Sequence, residues 1–445
     1  MDRRTFIKSA GAAAATLGLS ACDNAARKAG IKLSATDEPG RMETRMCGTD
    51  EVGLLGYGCM RWQMTKDDEG RDIIDQQSVD ELVDYAIAHG VNYFDSSPVY
   101  LQGQSEEATA KALLRHPRES YLIATKLSNF SNPTLDNSIR MYRRSLEIYQ
   151  TDHIDYYLLH SISGYEAFKK RFEDSGIMDF LQEEKAKGHI RNLGFSFHGS
   201  AGGFDELMAL HDRYHWDFVQ IQMNYIDWTH ASGRNCKAQY LYEQLATRDI
   251  PVVVMEPLLG GRLSNVPGPV AAELKKTEPG KTIASWAFRF CGSFPKVLTV
   301  LSGMTYMEHL QDNVETFTHF KPLEDKEFAM LEDMARTIQG YPLVGCTGCQ
   351  YCMPCPYGID IPGIFRHYDN SINEGTFTEG KDQKGYRRLR RKYLTSYDKA
   401  VESARQADHC IACGTCLPLC PQRIRIPREL KRIDDYIENL KQEKI

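Results

Sequence analysis

The sequence predicts an α/β protein in which a (β/α)8 TIM barrel is followed by a small α-rich domain. Short apolar runs alternate with amphipathic stretches, eight such runs occur before residue 320, and eight of the 13 cysteines fall in two short stretches near the end. Alternating strands and helices form a parallel sheet, and eight strand–helix units close into a barrel. We expect a signal peptide at 1–22, a tether at 23–40, the barrel at 41–330 and the second domain at 331–445.

The composition is that of a globular protein. Of 445 residues, 42% are hydrophobic and 26% are charged, which excludes collagen-like and mostly disordered chains. No run reaches the roughly 18 apolar residues that are needed to cross a bilayer. The 54 basic and 60 acidic residues give a net charge of −6, which argues against nucleic acid as a partner.

The first 22 residues have the pattern of an export signal. A basic start is followed by an uncharged, alanine-rich segment at 9–22, as in secretory signals. The adjacent Arg3 and Arg4 resemble a twin-arginine signal, which implies the export machinery for folded proteins. Residues 19–22 also resemble a lipoprotein cleavage box that ends at Cys22, although ordinary cleavage nearby is the alternative. We expect a location in the periplasm or on the outer face of the membrane, with membrane contact only through a lipid on Cys22.

The eight apolar runs are the candidate strands of the barrel. They are 52–60, 91–97, 121–127, 154–161, 190–197, 218–225, 251–259 and 297–303. Helical patterns between them include 78–89, 105–115, 135–149 and 234–248. The runs are nearly continuous in Val, Ile, Leu, Tyr and Phe, as expected for strands covered on both faces. An open doubly wound sheet is the alternative, but it requires a third glycine after Gly56 and Gly58 that the sequence lacks.

Four polar residues fall at or just after the ends of successive strands, where barrels of this class carry their chemistry. They are Asp95, Tyr100, Lys126 and His160. An isolated buried Lys or Asp is costly, so we expect Asp95 and Lys126 to pair. The ammonium group of Lys126 would lower the pKa of Tyr100 and make it a general acid, while His160 would orient a substrate carbonyl.

This constellation resembles the aldo/keto reductase superfamily, and flanking phrases from Gly56 to Asn313 resemble its strands and its last helix. The resemblance implies reduction of a small carbonyl substrate, or the reverse reaction, by hydride transfer from NADP(H) or NAD(H). It implies a carboxamide near Ser196 and Gln220, a pyrophosphate under the 257–261 loop and an adenine near Asn313. The implied cofactor-binding residues are Gly58, Cys59, Asp95, Ser196, Gln220, Pro257, Leu258, Gly260, Gly261 and Asn313.

Several positions depart from that family's pattern. Phe197 stands where a carboxamide-binding Asn is common, and Met255 stands where many members stack a Tyr on the nicotinamide. Gly303 and His309 stand where members that prefer NADPH carry basic residues. The choice between NADPH and NADH therefore stays open, and we expect a tightly held nicotinamide.

The two cysteine stretches resemble bacterial two-cluster ferredoxins. Their cysteines are Cys346, Cys349, Cys352 and Cys355 in the first and Cys410, Cys413, Cys416 and Cys420 in the second. Four thiolates at this spacing can hold a [4Fe-4S] cluster, and the last cysteine commonly serves the partner cluster. Structural zinc is the alternative, but it normally uses two separated pairs of ligands. We expect two [4Fe-4S] clusters in a ferredoxin-like domain.

A basic stretch lies between the two motifs. It contains Arg387, Arg388, Arg390, Arg391 and Lys392. One interpretation is a solvated helix face. The other is a positive charge that offsets the negative charge of the clusters and steers an acidic electron donor.

The sequence as a whole predicts an exported iron–sulfur oxidoreductase whose clusters relay electrons to or from a redox partner. The alternative is a non-catalytic redox sensor or electron-transfer module with a permanently bound nicotinamide. The substrate is not readable from the sequence, because specificity lies in the loops of such barrels. Trp62, Tyr225 and Trp228 are candidate pocket walls, with a place in the core or at the rim as the alternative.

Overall fold

The computed structural model describes residues 41–231 and 233–445. The expected signal, the tether and Cys22 lie outside these residues. Among the described helices, none combines the length and the apolarity that a membrane span requires.

Eight parallel strands form a closed barrel, which confirms the predicted fold class. They are β3 (Leu55–Gly58), β6 (Tyr93–Asp95), β7 (Leu122–Leu127), β8 (Ile154–Ile162), β9 (Ile190–Phe197), β10 (Phe218–Gln222), β11 (Val252–Met255) and β12 (Val297–Ser302). Each pairs with its neighbours in chain order, and β12 closes the ring by pairing Leu301 with Gly56. All eight predicted runs therefore contain a barrel strand.

Two short hairpins were not predicted from the sequence. Strands β1 (Thr44–Cys47) and β2 (Asp50–Gly53) pair antiparallel before the barrel begins, and β4 (Met64–Lys66) pairs with β5 (Asp72–Ile74). Cys47 and Val52 of the first hairpin pack against interior residues of the barrel such as Tyr156. This hairpin therefore closes one end of the barrel, and the carboxyl ends of the strands form the other.

Helices surround the barrel. They are α1 (Gln76–Ala88), α2 (Ser105–Leu113), α3 (Leu135–Tyr149), α4 (Tyr165–Phe168), α5 (Ile177–Ala186), α6 (Ala201–Met208), α7 (His211–Tyr214), α8 (Ala238–Ala246), α9 (Gly268–Thr277), α10 (Ile283–Gly292), α11 (Met307–Thr318) and α12 (Asp325–Gln339). The helix predicted from Arg234 begins only at Ala238, so its predicted start is wrong. The Asn235 side chain bonds His198 and Gln222, which holds the preceding residues in a loop.

The second domain has its own apolar core and three helices. They are α13 (Ile361–Asn373), α14 (Tyr386–Ala400) and α15 (Ile426–Lys441). Pro362 and Pro427 occupy the first turns of α13 and α15, where a missing N–H costs nothing. Helix α12 packs on the barrel core as far as Ile338, so the boundary expected at residue 330 falls inside a helix and we place it after Gln339.

Candidate active site and cysteine cavities

A buried ion pair lies at the carboxyl end of the barrel. Asp95 ends β6, and Lys126 lies near the end of the adjacent β7, so parallel pairing brings them to one edge. Lys126 Nζ donates to Asp95 Oδ1 at 2.5 Å and to the Ser96 carbonyl at 2.7 Å. The two side chains are only 1% and 4% exposed, and Asp95 Oδ2 is buried without a hydrogen-bond partner. The predicted pairing is therefore present in the structure.

Tyr100 lies directly beside this pair. Lys126 Nζ is 4.8 Å from the centroid of the Tyr100 ring. The expectation that Lys126 lowers the pKa of Tyr100 is wrong for this structure. Burial, followed by the charge of Asp95, raises that pKa well above its ordinary value. Tyr100 is therefore protonated at neutral pH, and without a bound cofactor or substrate it is a weaker acid than an ordinary tyrosine.

His160 completes the predicted set. Its ring centroid is 5.8 Å from that of Tyr100, in an edge-on arrangement. Burial and the charge of Lys126 hold the pKa of His160 well below its usual value, so the imidazole is neutral. His160 Nδ1 lies 2.6 Å from Ser128 Oγ. When Ser128 donates to Nδ1, the ring proton lies on Nε2, which can then donate to a substrate carbonyl.

Three partly exposed side chains surround the entrance to these residues. Val99 is 39% exposed, Phe130 is 47% exposed and Tyr351 is 44% exposed. The Phe130 ring lies 5.1 Å from the ring of His160. Tyr351 belongs to the first cysteine motif and interacts electrostatically with Tyr100 and Lys126. Tyr351 of the second domain therefore lies within electrostatic range of the active-site residues.

Of the candidate pocket walls, Trp62 lies in the barrel core and the half-buried Trp228 packs against that core, which is the alternative the sequence left open. Trp62 is 2% exposed and donates its indole N–H to Thr109. Trp228 packs against Phe290 and Phe294. Tyr225 is also buried, at 2% exposed.

The end of the site expected to hold a nicotinamide fits that group. Ser196 and Gln220 are buried at the ends of the adjacent strands β9 and β10, which pair them in register. Gln220 Oε1 has no hydrogen-bond partner, so it can accept from a carboxamide N–H. Ser196 Oγ accepts from the backbone N–H of Ser161 at 2.7 Å, which leaves its own proton free to donate. These two side chains would hold the carboxamide.

The loop expected to cover a pyrophosphate is in contact with the second domain. Gly260 has φ +67°, and a Cβ added there would lie 2.1 Å from the carbonyl oxygen of Thr347. Only glycine fits this contact. Glu256, at the start of the loop, has a raised pKa because it is buried, despite the nearby charges of Arg61 and Arg262. The loop is therefore held in place by the domain that packs on it.

Cys59 and Asn313, two further residues predicted to bind the cofactor, are both buried. Cys59 is fully buried, and burial raises its pKa far above normal, so it is a thiol. Its backbone N–H donates to the carbonyl of Asp95 at 2.8 Å, and this fixes the strand end that carries Gly58. Asn313 is 4% exposed, and its amide nitrogen donates to Ser302 Oγ at 3.0 Å. The adenine contact of Asn313 stays a prediction.

The eight cysteines of the motifs line two cavities, of about 330 and 430 Å³, each partly open to solvent. The first contains Cys346, Cys349, Cys352 and Cys420, and the second contains Cys355, Cys410, Cys413 and Cys416, with Cys352 at its edge. The last cysteine of each motif therefore lines the cavity that holds the first three cysteines of the other motif. This arrangement is present although the last gap in the first motif has two residues and not the usual three.

The surroundings of both cavities fit iron–sulfur clusters. Ile361, Phe365 and Ile426 line the first cavity, so its interior is apolar. The backbone N–H of Gly348 donates to Cys346 Sγ at 3.4 Å, a contact typical of cluster ligands. Among the described residues, no three His, Cys, Asp or Glu side chains converge on a point that suits a single metal ion.

The barrel and the second domain each match a known family. Residues 54–336 match the aldo/keto reductase family, and residues 345–425 match a 4Fe-4S dicluster domain. The chain belongs to the aldo/keto reductase family. It carries this reductase barrel with the dicluster domain packed over the carboxyl ends of its strands.

Characterised relatives of the barrel are dehydrogenases and reductases, which establishes the chain as an oxidoreductase. L-galactose dehydrogenase of Arabidopsis thaliana is 25% identical over 253 residues, covering 53% of this chain and 76% of the relative. NADH-specific methylglyoxal reductase of Escherichia coli K12 is 23% identical over 335 residues, covering 66% of this chain and 98% of the relative. A holo structure of an aldo-keto reductase from Bacillus halodurans shares the fold, with a TM-score of 0.52 at 23% identity over 66% of this chain and 96% of that chain.

Sequence reasoning missed the residues that join this reductase barrel to its second domain. Arg61 Nη2 donates to the Thr347 carbonyl at 2.8 Å, across a separation of 286 residues. Gly233 packs on Pro421, and a Cβ added there would lie 2.6 Å from the Pro421 carbonyl oxygen. No periodicity or spacing signals a contact between such distant segments. The four tetrad residues were visible because each interrupts an apolar run.

Proposed function

We propose that this protein is an iron–sulfur aldo/keto reductase that reduces a small carbonyl compound, or oxidises the alcohol, with Tyr100 as the general acid. The observation that carries the proposal is the buried Asp95–Lys126 pair beside a protonated Tyr100 and a neutral His160. A bound nicotinamide supplies the hydride. Tyr100 donates a proton to the carbonyl oxygen, and His160 orients that oxygen from the other side.

Two [4Fe-4S] clusters in the cysteine cavities are proposed to connect this site to a redox partner. The second cavity is exposed: Cys413 and Ile411, which is 60% exposed, lie at the surface. Leu417 and Leu419, at 45% and 47% exposed, extend this apolar surface. The first cavity lies under the barrel, because Thr347 between its cysteines is only 2% exposed. An external one-electron donor would therefore meet the second cavity first.

A second candidate function is a redox sensor or electron-transfer module that holds its nicotinamide permanently. The contact between Gly260 and Thr347 supports it, because it keeps in place the loop that would have to open for exchange. Tyr100→Phe separates the two functions. A reductase loses about 100-fold or more in kcat/KM, the range expected for a missing general acid, whereas a sensor keeps its cluster and nicotinamide signals unchanged.

The test is reduction of methylglyoxal and related small aldehydes by the anaerobically purified protein, with iron, sulfide and nicotinamide content measured in parallel. Tyr93→Phe is the matched control, because Tyr93 is equally buried, lacks a partner for its hydroxyl and lies toward the closed end of the barrel. Equal activity of wild type and Tyr100→Phe, with normal cofactor content, would contradict the reductase.

We also propose that the protein is exported by the twin-arginine route to the periplasm or outer face of the membrane. The support is the sequence around Arg3 and Arg4 and the cleavage-box pattern before Cys22. A reporter fusion should lose export when Arg3 and Arg4 are both changed to Lys. Mass spectrometry of the mature N-terminus should find a diacylglyceryl group on Cys22. Unchanged export, or a mature chain without that modified cysteine, would contradict the respective part of the proposal.

A further inference from the structure

Three arginines of the barrel converge on the first cysteine cavity. Arg61 bonds the carbonyl of Thr347, and its other terminal nitrogen lies 4.0 Å from the Cβ position of Gly348. Arg262 Nη1 lies 3.3 Å from the Cβ position of Gly345. Gly345 directly precedes the first cysteine motif, and Thr347 and Gly348 lie within it. Arg61 and Arg262 are therefore close to the first cavity.

The third is Arg234, in the loop that packs on the second cysteine motif. Its neighbour Gly233 contacts Pro421, which directly follows Cys420. Arg234 interacts electrostatically with the thiols of Cys420 and Cys349, and its buried Nε has no hydrogen-bond partner. We call Arg61, Arg234 and Arg262 the junction arginines.

The junction arginines are only partly matched by acidic groups. Glu256 faces Arg61 and Arg262, and Asp369 faces Arg262 while accepting from the N–H groups of Val344 and Gly345. The main electrostatic neighbours of Arg234 are the thiols of Cys420 and Cys349 and a second arginine, Arg423. A partly buried cation of this kind requires an anion nearby.

The arginines that lie near the lining of the second cavity in the sequence belong to the second domain. Arg405 donates to the carbonyl of Gly358 at 3.2 Å near Cys355. Arg425 and Arg428 flank Pro427, which lines this cavity, but both are exposed and are screened by water and salt. The partly buried junction arginines act through a lower dielectric, so their effect on the first cavity is larger.

Arg390, in the basic stretch of α14, is distant from both cavities. Arg390 donates to the carbonyls of Leu440 and Lys441, at the far end of α15. That helix starts at the cavities with Ile426, and 14 residues at 1.5 Å each place Leu440 about 21 Å away. The interpretation of this stretch as a direct offset to cluster charge is therefore not supported for Arg390, which instead caps a helix.

We propose that the junction arginines hold the reduction potential of the inner cluster, at Cys346, Cys349, Cys352 and Cys420, above that of the outer cluster. This inference rests on the proposed function. Four thiolates make such a cluster anionic, and reduction adds one more negative charge, which nearby cations stabilise. Burial alone would act in the opposite direction, because it disfavours added charge. Electrons from an external one-electron donor would then pass from the outer to the inner cluster and stop beside the active site.

The experiment is a reductive titration of the full protein, followed by electron paramagnetic resonance. Cys413→Ala, which removes a ligand of the outer cluster, assigns the signals. In the wild type the inner signal should appear first. In the double variant Arg61→Gln/Arg234→Gln, the midpoint potential of the inner cluster should fall. The difference between the midpoint potentials of the two clusters should then become smaller or change sign.

Two further variants make the result specific. Arg234→Lys keeps the charge and should keep the inner midpoint near that of the wild type. Arg391→Gln removes an exposed arginine of α14 and should move neither midpoint. An inner cluster that titrates below the outer one in the wild type, or that does not respond to the double substitution, would overturn the inference. A wild-type protein with no cluster signals at all would overturn the proposed function as well.

Discussion

Lys126 and Asp95 form an ion pair in the active site that is almost completely shielded from water. Removing one partner leaves the other charge buried and unpaired, whereas removing both leaves neither. Asp95→Asn should therefore lower the free energy of unfolding by about 3–5 kcal/mol. Asp95→Asn/Lys126→Met should restore part of that loss.

Thermal and urea unfolding of the cofactor-loaded protein measure this coupling in a double-mutant cycle. Additive losses would show that the two side chains do not stabilise each other. Activity should fall in both variants, because Lys126 and Asp95 also set the position of Tyr100. Recovery of stability without recovery of activity would separate the structural role of the pair from its chemical role.

The barrel loop from Glu256 to Gly261 packs against the second domain. Gly260→Ala should displace this loop, because its Cβ would overlap the backbone of Thr347. Gly261→Ala is a matched control: its φ of +96° is equally unfavourable, but nothing lies within 4 Å of the added Cβ. Each substitution costs about 1–3 kcal/mol in backbone strain, and only Gly260→Ala adds the clash.

If the loop keeps the nicotinamide in place, Gly260→Ala should purify with less bound nicotinamide than Gly261→Ala. The measurement is nicotinamide content per chain after gel filtration and dialysis. Equal retention in both variants would show that Thr347 does not hold the loop closed over the cofactor.

The sequence was sufficient for the elements that follow local rules. Each barrel strand lies in a largely apolar run, and the cysteine spacing predicts two four-ligand sets. The hairpin at Thr44–Gly53 was missed because its strands, TRMC and DEVG, carry charged residues and form no apolar run. The pKa of Tyr100 was predicted in the wrong direction, because sequence shows that Lys126 is present but not how deeply the tyrosine is buried. The contacts of Arg61 and Arg234 depend on how two domains pack, which no local pattern encodes.

The packing of the two domains places the two cysteine sets at different depths below the protein surface. The set with Cys349 lies against the barrel near Glu256, and the set with Cys413 faces solvent. If the protein is exported as proposed, it has no cytoplasmic NADPH pool to draw on, and an external electron source would give the second domain its purpose. Hydride transfer moves two electrons together, whereas each cluster carries one. Two clusters, as proposed, would together hold the two electrons that reduction of one nicotinamide requires, with one proton taken from solvent.

Cys413→Ala tests this arrangement directly, because it removes one ligand of the exposed set and leaves the tetrad untouched. With reduced methyl viologen as the electron source and no added dinucleotide, we expect methylglyoxal reduction to fall at least about tenfold, since a cluster that has lost a thiolate ligand is unstable or altered in potential. Cys236→Ala is the control, because Cys236 is half-buried and belongs to neither set. Iron content should fall in Cys413→Ala and not in Cys236→Ala. Activity that requires free NADPH and is equal in both variants would show instead that the second domain is a structural cover over an ordinary reductase barrel.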